Sequence, residues 1–149
     1  MGAFLVDSNV LVYAYDQSEG RKRQRAIEVL EAVGTGQAGF LSTQILGEFF
    51  VTATRKIPSP LSLREASTVV TRYIESWSVI HLTAALVLEA LRGVEQHQLH
   101  YYDALVWAAA KLHQVQEILT EDGQHGRLIE GVRYLNPFDD KFDMAVLSA

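Results

Sequence analysis

The stretch FLVDSNVLVYAYD (Phe4–Asp16) shows how this chain is organised. Its first residues are all apolar, a pattern typical of a strand that is buried on both faces in a parallel sheet. The polar residues DSN at 7–9 interrupt this run, and an apolar segment resumes at once. We therefore predict a strand over 3–6 and a helix over 9–15. The polar side chains would lie where the buried strand reaches the surface.

The same alternation of strands and helices continues along the chain. Short apolar segments predict further strands at 38–41, 77–81, 117–120 and 132–135. Longer segments with helical spacing predict helices at 21–32, 43–56, from Ser62 onwards, at 83–97 and at 101–114. Ser62 and Glu65 have the spacing of a capping box at a helix start. This order is typical of an α/β fold with three layers, in which helices flank a mainly parallel central sheet. We expect one domain over 1–149, with its core at about 3–138 and a short, frayed tail at 139–149.

Composition excludes several classes of protein. The chain has 149 residues, of which 48% are hydrophobic and 21% charged, as in ordinary globular domains. It has no cysteine, so neither a disulfide scaffold nor a thiolate metal site can form. The start of the chain does not read as a signal peptide, and no apolar run reaches the ~18–20 residues of a membrane span. We expect a cytoplasmic protein without a membrane partner.

The charge distribution gives a mixed indication about nucleic acid. A formal net charge of −5 argues against a broad basic surface for RNA or DNA. A local basic cluster nevertheless stands at the start of the second predicted helix, and it consists of Arg21, Lys22, Arg23 and Arg25. These residues are candidates for phosphate contact, and a solvated helix start is the alternative.

Four acidic residues stand where functional groups gather in parallel sheets, beyond the carboxyl ends of the strands. Asp7 and Asp122 follow predicted strands, Asp103 begins a predicted helix, and Glu48 lies inside one. Each has a simpler explanation. Asp7 could cap the next helix, Asp122 could stabilise a glycine-rich turn, and Glu48 could lie on a solvated helical face.

Asp103 is the least easily explained of these acids. It is followed by the apolar run 104–110, and a helix that is apolar all round is buried. An unpaired buried carboxylate costs several kcal/mol, of which a helix N-terminus offsets only ~0.3–1 kcal/mol. No Arg or Lys lies in the next turn, so the partner of Asp103 must come from elsewhere in the fold.

A cation would be a suitable partner if Asp7, Asp103 and Asp122 meet, because three like charges repel. Oxygen ligands without cysteine or paired histidine suit Mg²⁺ or Mn²⁺ better than zinc. The five histidines have no metal-binding spacing, and we interpret them as structural or surface residues: His81, His97, His100, His113 and His125. A carboxylate site for Mg²⁺ is typical of phosphodiester cleavage.

Five segments in this order strongly resemble the PIN-domain ribonucleases, and within them the VapC-type toxins of bacterial type II toxin–antitoxin pairs: FLVDSNVLVYAYD, LGEFF, YYDALVWAAA, ILTEDGQHG and NPF. The resemblance covers residues 4–138. It implies a PIN-like fold and a catalytic Mg²⁺ or Mn²⁺ site made by Asp7, Glu48, Asp103 and Asp122. In this arrangement the three aspartates hold the metal and Glu48 assists. Asn9 and Thr120 would orient the carboxylates, and Glu121 would be a supporting acid.

The resemblance also implies a function and partners. The expected activity is endoribonuclease hydrolysis of RNA by water that the cation activates. The expected partners are a small antitoxin protein and a second copy of the chain. The alternative is a PIN-fold module that binds RNA or metal with little or no turnover, although the presence of all four acids counts against it. A phosphatase would need Asp-x-Asp, and a receiver domain an upstream acidic pair, and neither motif is present.

Overall fold

A central sheet of six strands organises the computed structural model, which describes residues 2–148. The strands are β1 (Phe4–Val6), β2 (Gly39–Ser42), β3 (Ser78–Ile80), β4 (Glu117–Leu119), β5 (Leu128–Ile129) and β6 (Val132–Leu135). Their order in the sheet is β3-β2-β1-β4-β6-β5. All neighbouring pairs are parallel except β5 and β6. The predicted α/β fold with a mainly parallel sheet is confirmed.

Six α-helices flank this sheet, as predicted. They are α1 (Ser8–Tyr15), α2 (Gly20–Thr35), α3 (Thr43–Arg55), α4 (Leu63–Ser76), α5 (Ala84–His97) and α6 (Tyr101–Leu112). Several begin at side-chain caps that satisfy free backbone N–H groups. Ser42 caps α3, and Ser62 with Glu65 forms the predicted capping box of α4. None of the helices in the described chain is both long enough and apolar enough to cross a membrane.

The core lies around β1 and α6, the two most apolar elements. All three residues of β1 are buried, and so is the whole run from Ala104 to Ala110 in α6. Trp107 is fully buried, and its indole N–H donates to the carbonyl of Ile129 at 3.2 Å. Gly93 of α5 leaves room for this ring, because a Cβ there would lie 2.7 Å from Trp107 Cζ3. The apolar helix predicted from the sequence is therefore a packed element of the core.

Two features differ from the sequence-based expectations. Strand β5 was not predicted; it has only two residues and joins β6 through a turn whose residues Glu130 and Gly131 have φ values of 49° and 87°. The tail was expected to be frayed, whereas Phe142 and Leu147 are buried in the core. A short 3₁₀ helix (Met144–Leu147) contacts α2 there. The organisation of 1–149 as one domain stays a prediction, and residues 1 and 149 lie outside the described part.

Candidate metal centre

Three aspartates converge at the carboxyl edge of the sheet. Each of Asp7, Asp103 and Asp122 offers a carboxylate oxygen, and these oxygens lie within 4.8 Å of one another. Asp7 follows β1, Asp122 follows the neighbouring parallel strand β4, and Asp103 stands in the first turn of α6. Parallel neighbours end at the same edge of a sheet, which explains why two of the acids meet. Asp103 lies beside them because α6 packs against β4.

The three aspartates differ in their exposure to solvent. Asp7 is buried, Asp103 is partly exposed and Asp122 is exposed. Together they line a small cavity of about 40 Å³. Asp7 also caps α1, since its Oδ1 accepts a hydrogen bond from the backbone N–H of Ser8 at 2.7 Å. The capping role that we considered for Asp7 is therefore real, and it leaves the other carboxylate oxygen directed elsewhere.

A hydrogen-bond network fixes the positions of the carboxylates. The hydroxyl of Thr120 donates to Asp7 Oδ2 at 2.9 Å and accepts from the backbone N–H of Asp122 at 3.1 Å. The side-chain amide of Asn9 donates to Thr120 Oγ1 at 3.0 Å and approaches Asp122 Oδ2 at 3.4 Å. Its oxygen accepts from the backbone N–H of Glu121 at 3.2 Å. Asn9 and Thr120 thus link the segments that follow β1 and β4.

The electrostatics of the centre favour a bound positive charge. Burial raises the pKa of Asp7 to about 6; hydrogen bonds from Thr120 and Ser8 lower it in part, and nearby carboxylates raise it further. Burial also raises the pKa of Asp103, and the charge of Asp122 raises it further. Within residues 2–148, no Lys or Arg forms an ion pair with any of these three aspartates. The three aspartates therefore face one another without an ion-pair partner among the described residues.

Glu48 lies close to the aspartates without joining their cluster. Burial raises its pKa; a hydrogen bond from Gln44 lowers it, and the charges of Asp103 and Asp122 raise it again. The side chain is half-buried, so it is only partly solvated. Gln44 also donates to the carbonyl of Tyr102 at 3.3 Å, which joins α3 to the start of α6. Glu48 is thus held beside the centre by a second helix.

Glu121 is directed away from the three aspartates. Its carboxylate accepts from the hydroxyl of Tyr13 at 2.6 Å and pairs with Lys22 at 3.2 Å. The ammonium group of Lys22 also lies over the rings of Tyr13 and Phe138, at 5.0 Å and 5.9 Å. Sequence reasoning missed this pairing, because Tyr13 and Lys22 reach Glu121 only through the packing of α1 and α2.

The basic cluster does not form one surface. Arg21 makes an exposed ion pair with Asp140 at 3.5 Å, and Arg25 donates to the carbonyl of Pro137 at 3.2 Å. Arg21, Lys22 and Arg25 line one cleft, whereas Arg23 lines a different one. The Nε of Arg23 is buried and has no hydrogen-bond partner in the described structure. Contact of these four residues with RNA stays a prediction.

Two residues of the centre were missed by sequence reasoning. Arg127 and Tyr134 line the same cavity as the aspartates. The hydroxyl of Tyr134 is buried and lacks a hydrogen-bond partner within the described residues. Arg127 follows Asp122 by only a few residues in the sequence, and this proximity was the one signal that could have indicated its place near the site. Nothing in the sequence shows that β6 lies next to β4 and brings Tyr134 to this edge.

Two of the histidines make side-chain contacts away from the three aspartates. His125 Nδ1 accepts from the backbone N–H of Asn136 at 2.9 Å, and His97 Nε2 lies 2.6 Å from a carboxylate oxygen of Glu130. His100 stands at the start of α6, and its charge lowers the pKa of Asp103 in part. None of the five is part of the metal-ligating group found within residues 2–148.

Comparison with known proteins places this chain in a family. The PIN domain family matches residues 4–130 of the chain, and no curated protein matches significantly. A toxin–antitoxin complex from Klebsiella pneumoniae has a similar structure, with a TM-score of 0.69 and 19% identity over 92% of this chain and 99% of that one. VapC20 of Mycobacterium tuberculosis, a sarcin-ricin loop cleaving toxin, has a TM-score of 0.57 and 19% identity over 78% of this chain and 87% of that one. VapBC2 from Rickettsia felis, bound to a DNA fragment from its promoter, has a TM-score of 0.62 and 13% identity over 89% of this chain and 96% of that one.

At these identities the solved structures show a shared fold, and the family match covers most of the chain. The chain belongs to the PIN domain family, as its motifs indicated.

Proposed function

We propose that this protein is a metal-dependent endoribonuclease that hydrolyses phosphodiester bonds in RNA. The observation that carries the proposal is the convergence of Asp7, Asp103 and Asp122, whose carboxylate oxygens lie within 4.8 Å of one another. Membership of the PIN domain family supports a nuclease. The similar fold of VapC20, a toxin that cleaves the sarcin-ricin loop, supports RNA as the substrate.

The residues of the centre fit a hard divalent cation, Mg²⁺ or Mn²⁺. Their ligands are oxygens only, and Mg²⁺ typically takes one or two carboxylates and completes its shell with water and substrate phosphate. The raised pKa of buried Asp7 indicates a charge that the protein alone does not compensate. Asp7, Asp103 and Asp122 would hold the ion. When bound, it would supply Lewis-acid chemistry, by stabilising negative charge on the phosphate and making water a better nucleophile.

The other residues of the centre position these groups and handle protons. Thr120 and Asn9 hold the carboxylates of Asp7 and Asp122 through the hydrogen bonds described above. Glu48 is half-buried beside them, and its raised pKa makes its carboxylate a stronger base than an ordinary glutamate, which suits a group that accepts a proton from water. We assign Glu48 this assisting role.

We further propose that the protein is the toxin of a toxin–antitoxin pair and acts in the cytoplasm as a homodimer. The similar structures from Klebsiella pneumoniae and Rickettsia felis are a toxin–antitoxin complex and a VapBC2 assembly, which supports a small antitoxin partner. Exposed apolar side chains on α5 and at the start of α6 support an interface, namely Leu88, Leu91 and Tyr102. Light scattering of the free protein should give twice the monomer mass, and a monomer would contradict the dimer.

Cleavage of mixed cellular RNA tests the proposed activity. Purified, antitoxin-free protein should cut RNA in the presence of Mg²⁺ or Mn²⁺ and should stop when EDTA is added. The Asp103→Asn variant should be inactive, whereas Asp140→Asn, a matched change at an exposed position, should remain active. Binding of RNA by folded protein without any cleavage would contradict the nuclease and favour the binding module. Equal cleavage by Asp103→Asn would contradict the assignment of the site.

A further inference from the structure

Arg127 lies at the rim of the aspartate cavity. It lines that cavity together with Asp7, Asp103 and Asp122, and it is the one basic residue to do so in the described part of the chain. Its side chain is exposed to solvent. Although three carboxylates line the same cavity, none in residues 2–148 comes within the 4.0 Å of an ion pair with it. The guanidinium is therefore available to an anion that enters from solvent.

The backbone holds Arg127 in a defined place. Its N–H donates to the carbonyl of Gln124 at 3.0 Å, and its own carbonyl accepts from the N–H of Tyr134 at 2.8 Å. The preceding residue, Gly126, donates to the carbonyl of Tyr134 at 2.7 Å. Gly126 has a φ of +86°, a left-handed conformation that glycine adopts without steric cost. The loop is thus fastened to β6, and the side chain of Arg127 extends from a fixed point beside the cavity.

Three residues of the basic cluster at 21–25 already have partners within the protein. Lys22 pairs with Glu121, Arg25 donates to a backbone carbonyl, and Arg21 pairs with Asp140. A phosphodiester that reaches the aspartates would meet a strongly negative site, which a bound metal ion alone would have to neutralise. Arg127 is placed to share that task at the same cavity.

The buried hydroxyl of Tyr134 is a second sign that the cavity receives a polar ligand. Tyr134 lines the cavity, and its hydroxyl is buried without a hydrogen-bond partner among the described residues, which is costly for a polar group. Burial raises the pKa of Tyr134, the charge of Asp103 raises it further, and the charge of Arg127 lowers it. The guanidinium, the hydroxyl and the carboxylates therefore share one electrostatic neighbourhood. The oxygens of a phosphate group, or a water beside it, would satisfy the hydroxyl.

We propose that Arg127 is a substrate-binding residue whose guanidinium binds the non-bridging oxygens of the RNA phosphodiester held at the three aspartates. Arginine suits this contact because its planar donors match two phosphate oxygens at once. The inference rests on the proposed function, since it takes RNA as the ligand of the same site. It adds a residue that lies outside the basic cluster at 21–25.

Binding of a short fluorescent single-stranded RNA, measured by anisotropy in the presence of Ca²⁺, tests this contact without requiring turnover. A gel of each sample identifies the intact RNA from which affinities are taken. Arg127→Gln should weaken binding about tenfold, and Arg127→Lys should weaken it less. Arg64→Gln removes the same charge from an exposed position on α4, outside the basic cluster, and should leave the affinity unchanged. Equal affinities for Arg127→Gln and Arg64→Gln, or no RNA binding by the wild type, would overturn the inference.

Mn²⁺ affinity and thermal stability separate ligand binding from a structural role. Removal of a positive charge beside three carboxylates should strengthen Mn²⁺ binding or leave it unchanged, and the melting temperature should stay the same. If Arg127→Gln weakened Mn²⁺ binding and lowered the melting temperature, Arg127 would be a structural residue and the inference would fail. If the wild type bound RNA through Arg127 and cleaved none, the nuclease proposal would fail while this inference stood.

Discussion

Replacement of Asp7 by Asn should stabilise the metal-free protein at neutral pH. The pKa of Asp7 is raised from its ordinary value of 3.8 to about 6 in the folded protein, chiefly by burial. A difference of about 2 pH units corresponds to about 3 kcal/mol of lost stability when the folded protein must hold the ionised carboxylate. Weakening of the Thr120 hydrogen bond would cost about 1 kcal/mol. The net gain in the free energy of unfolding is about 2 kcal/mol.

The size of this stabilisation depends on pH in a defined way. Below pH of about 4, Asp7 is protonated in both the folded and the unfolded state, so the substitution should matter little. Between about 4 and 6 the unfolded chain releases the proton first, and the stability of the wild type should fall as the pH rises. Above about 6 both states are ionised, and the advantage of Asp7→Asn should be constant.

Thermal denaturation in EDTA across this pH range measures the effect. A gain of about 2 kcal/mol corresponds to about 4–8 °C in melting temperature for a protein of this size. Added Mn²⁺ should reverse the order, because it would stabilise the wild type and not Asp7→Asn. Asp140→Asn, at an exposed position, should change neither result. A lower melting temperature for Asp7→Asn in EDTA at neutral pH would refute the reasoning, and so would a difference in stability between the two proteins that does not change between pH of about 4 and 6.

Four further substitutions test the network and the core. Thr120→Val should weaken Mn²⁺ binding about 10–100-fold in calorimetric titration, because it removes the hydroxyl that orients Asp7; an unchanged affinity would contradict that role. Gly93→Ala should lower the free energy of unfolding by about 1–3 kcal/mol in urea, since its Cβ would meet Trp107. Gly47→Ala, which meets nothing within 4 Å, should instead stabilise α3 by about 1 kcal/mol, and equal effects at both glycines would contradict the packing. Leu147→Ala should cost at least about 2 kcal/mol, and a loss near zero would indicate a frayed tail.

Local patterns were sufficient to predict most of the fold. The apolar run at 4–6 identified β1, the run at 104–110 identified buried α6, and the Ser62–Glu65 spacing identified the start of α4, because each depends on neighbouring residues only. Strand β5 has two residues, which is too short for any periodicity to show. The tail could not be predicted because its burial depends on contact with α2, which is distant in sequence.

The candidate site divides in the same way. Asp7 and Asp122 were predictable because they follow strands, and the ends of parallel strands meet at one edge of a sheet. The partners of Glu121 and the position of Arg127 depend on packing between distant elements. Tyr134 reaches the cavity only because β6 pairs with β4, and a sequence does not display strand order. Sequence reasoning therefore named the acids with Asn9 and Thr120, and missed Arg127 and Tyr134.

Anomalous scattering from a crystal soaked in Mn²⁺ is the most direct test of the central claim that the three aspartates hold a divalent cation. We expect an anomalous difference peak in contact with carboxylate oxygens of Asp7, Asp103 and Asp122, and no such peak in crystals of Asp103→Asn. A well-ordered wild-type crystal at saturating Mn²⁺ with no peak at these carboxylates would contradict the claim.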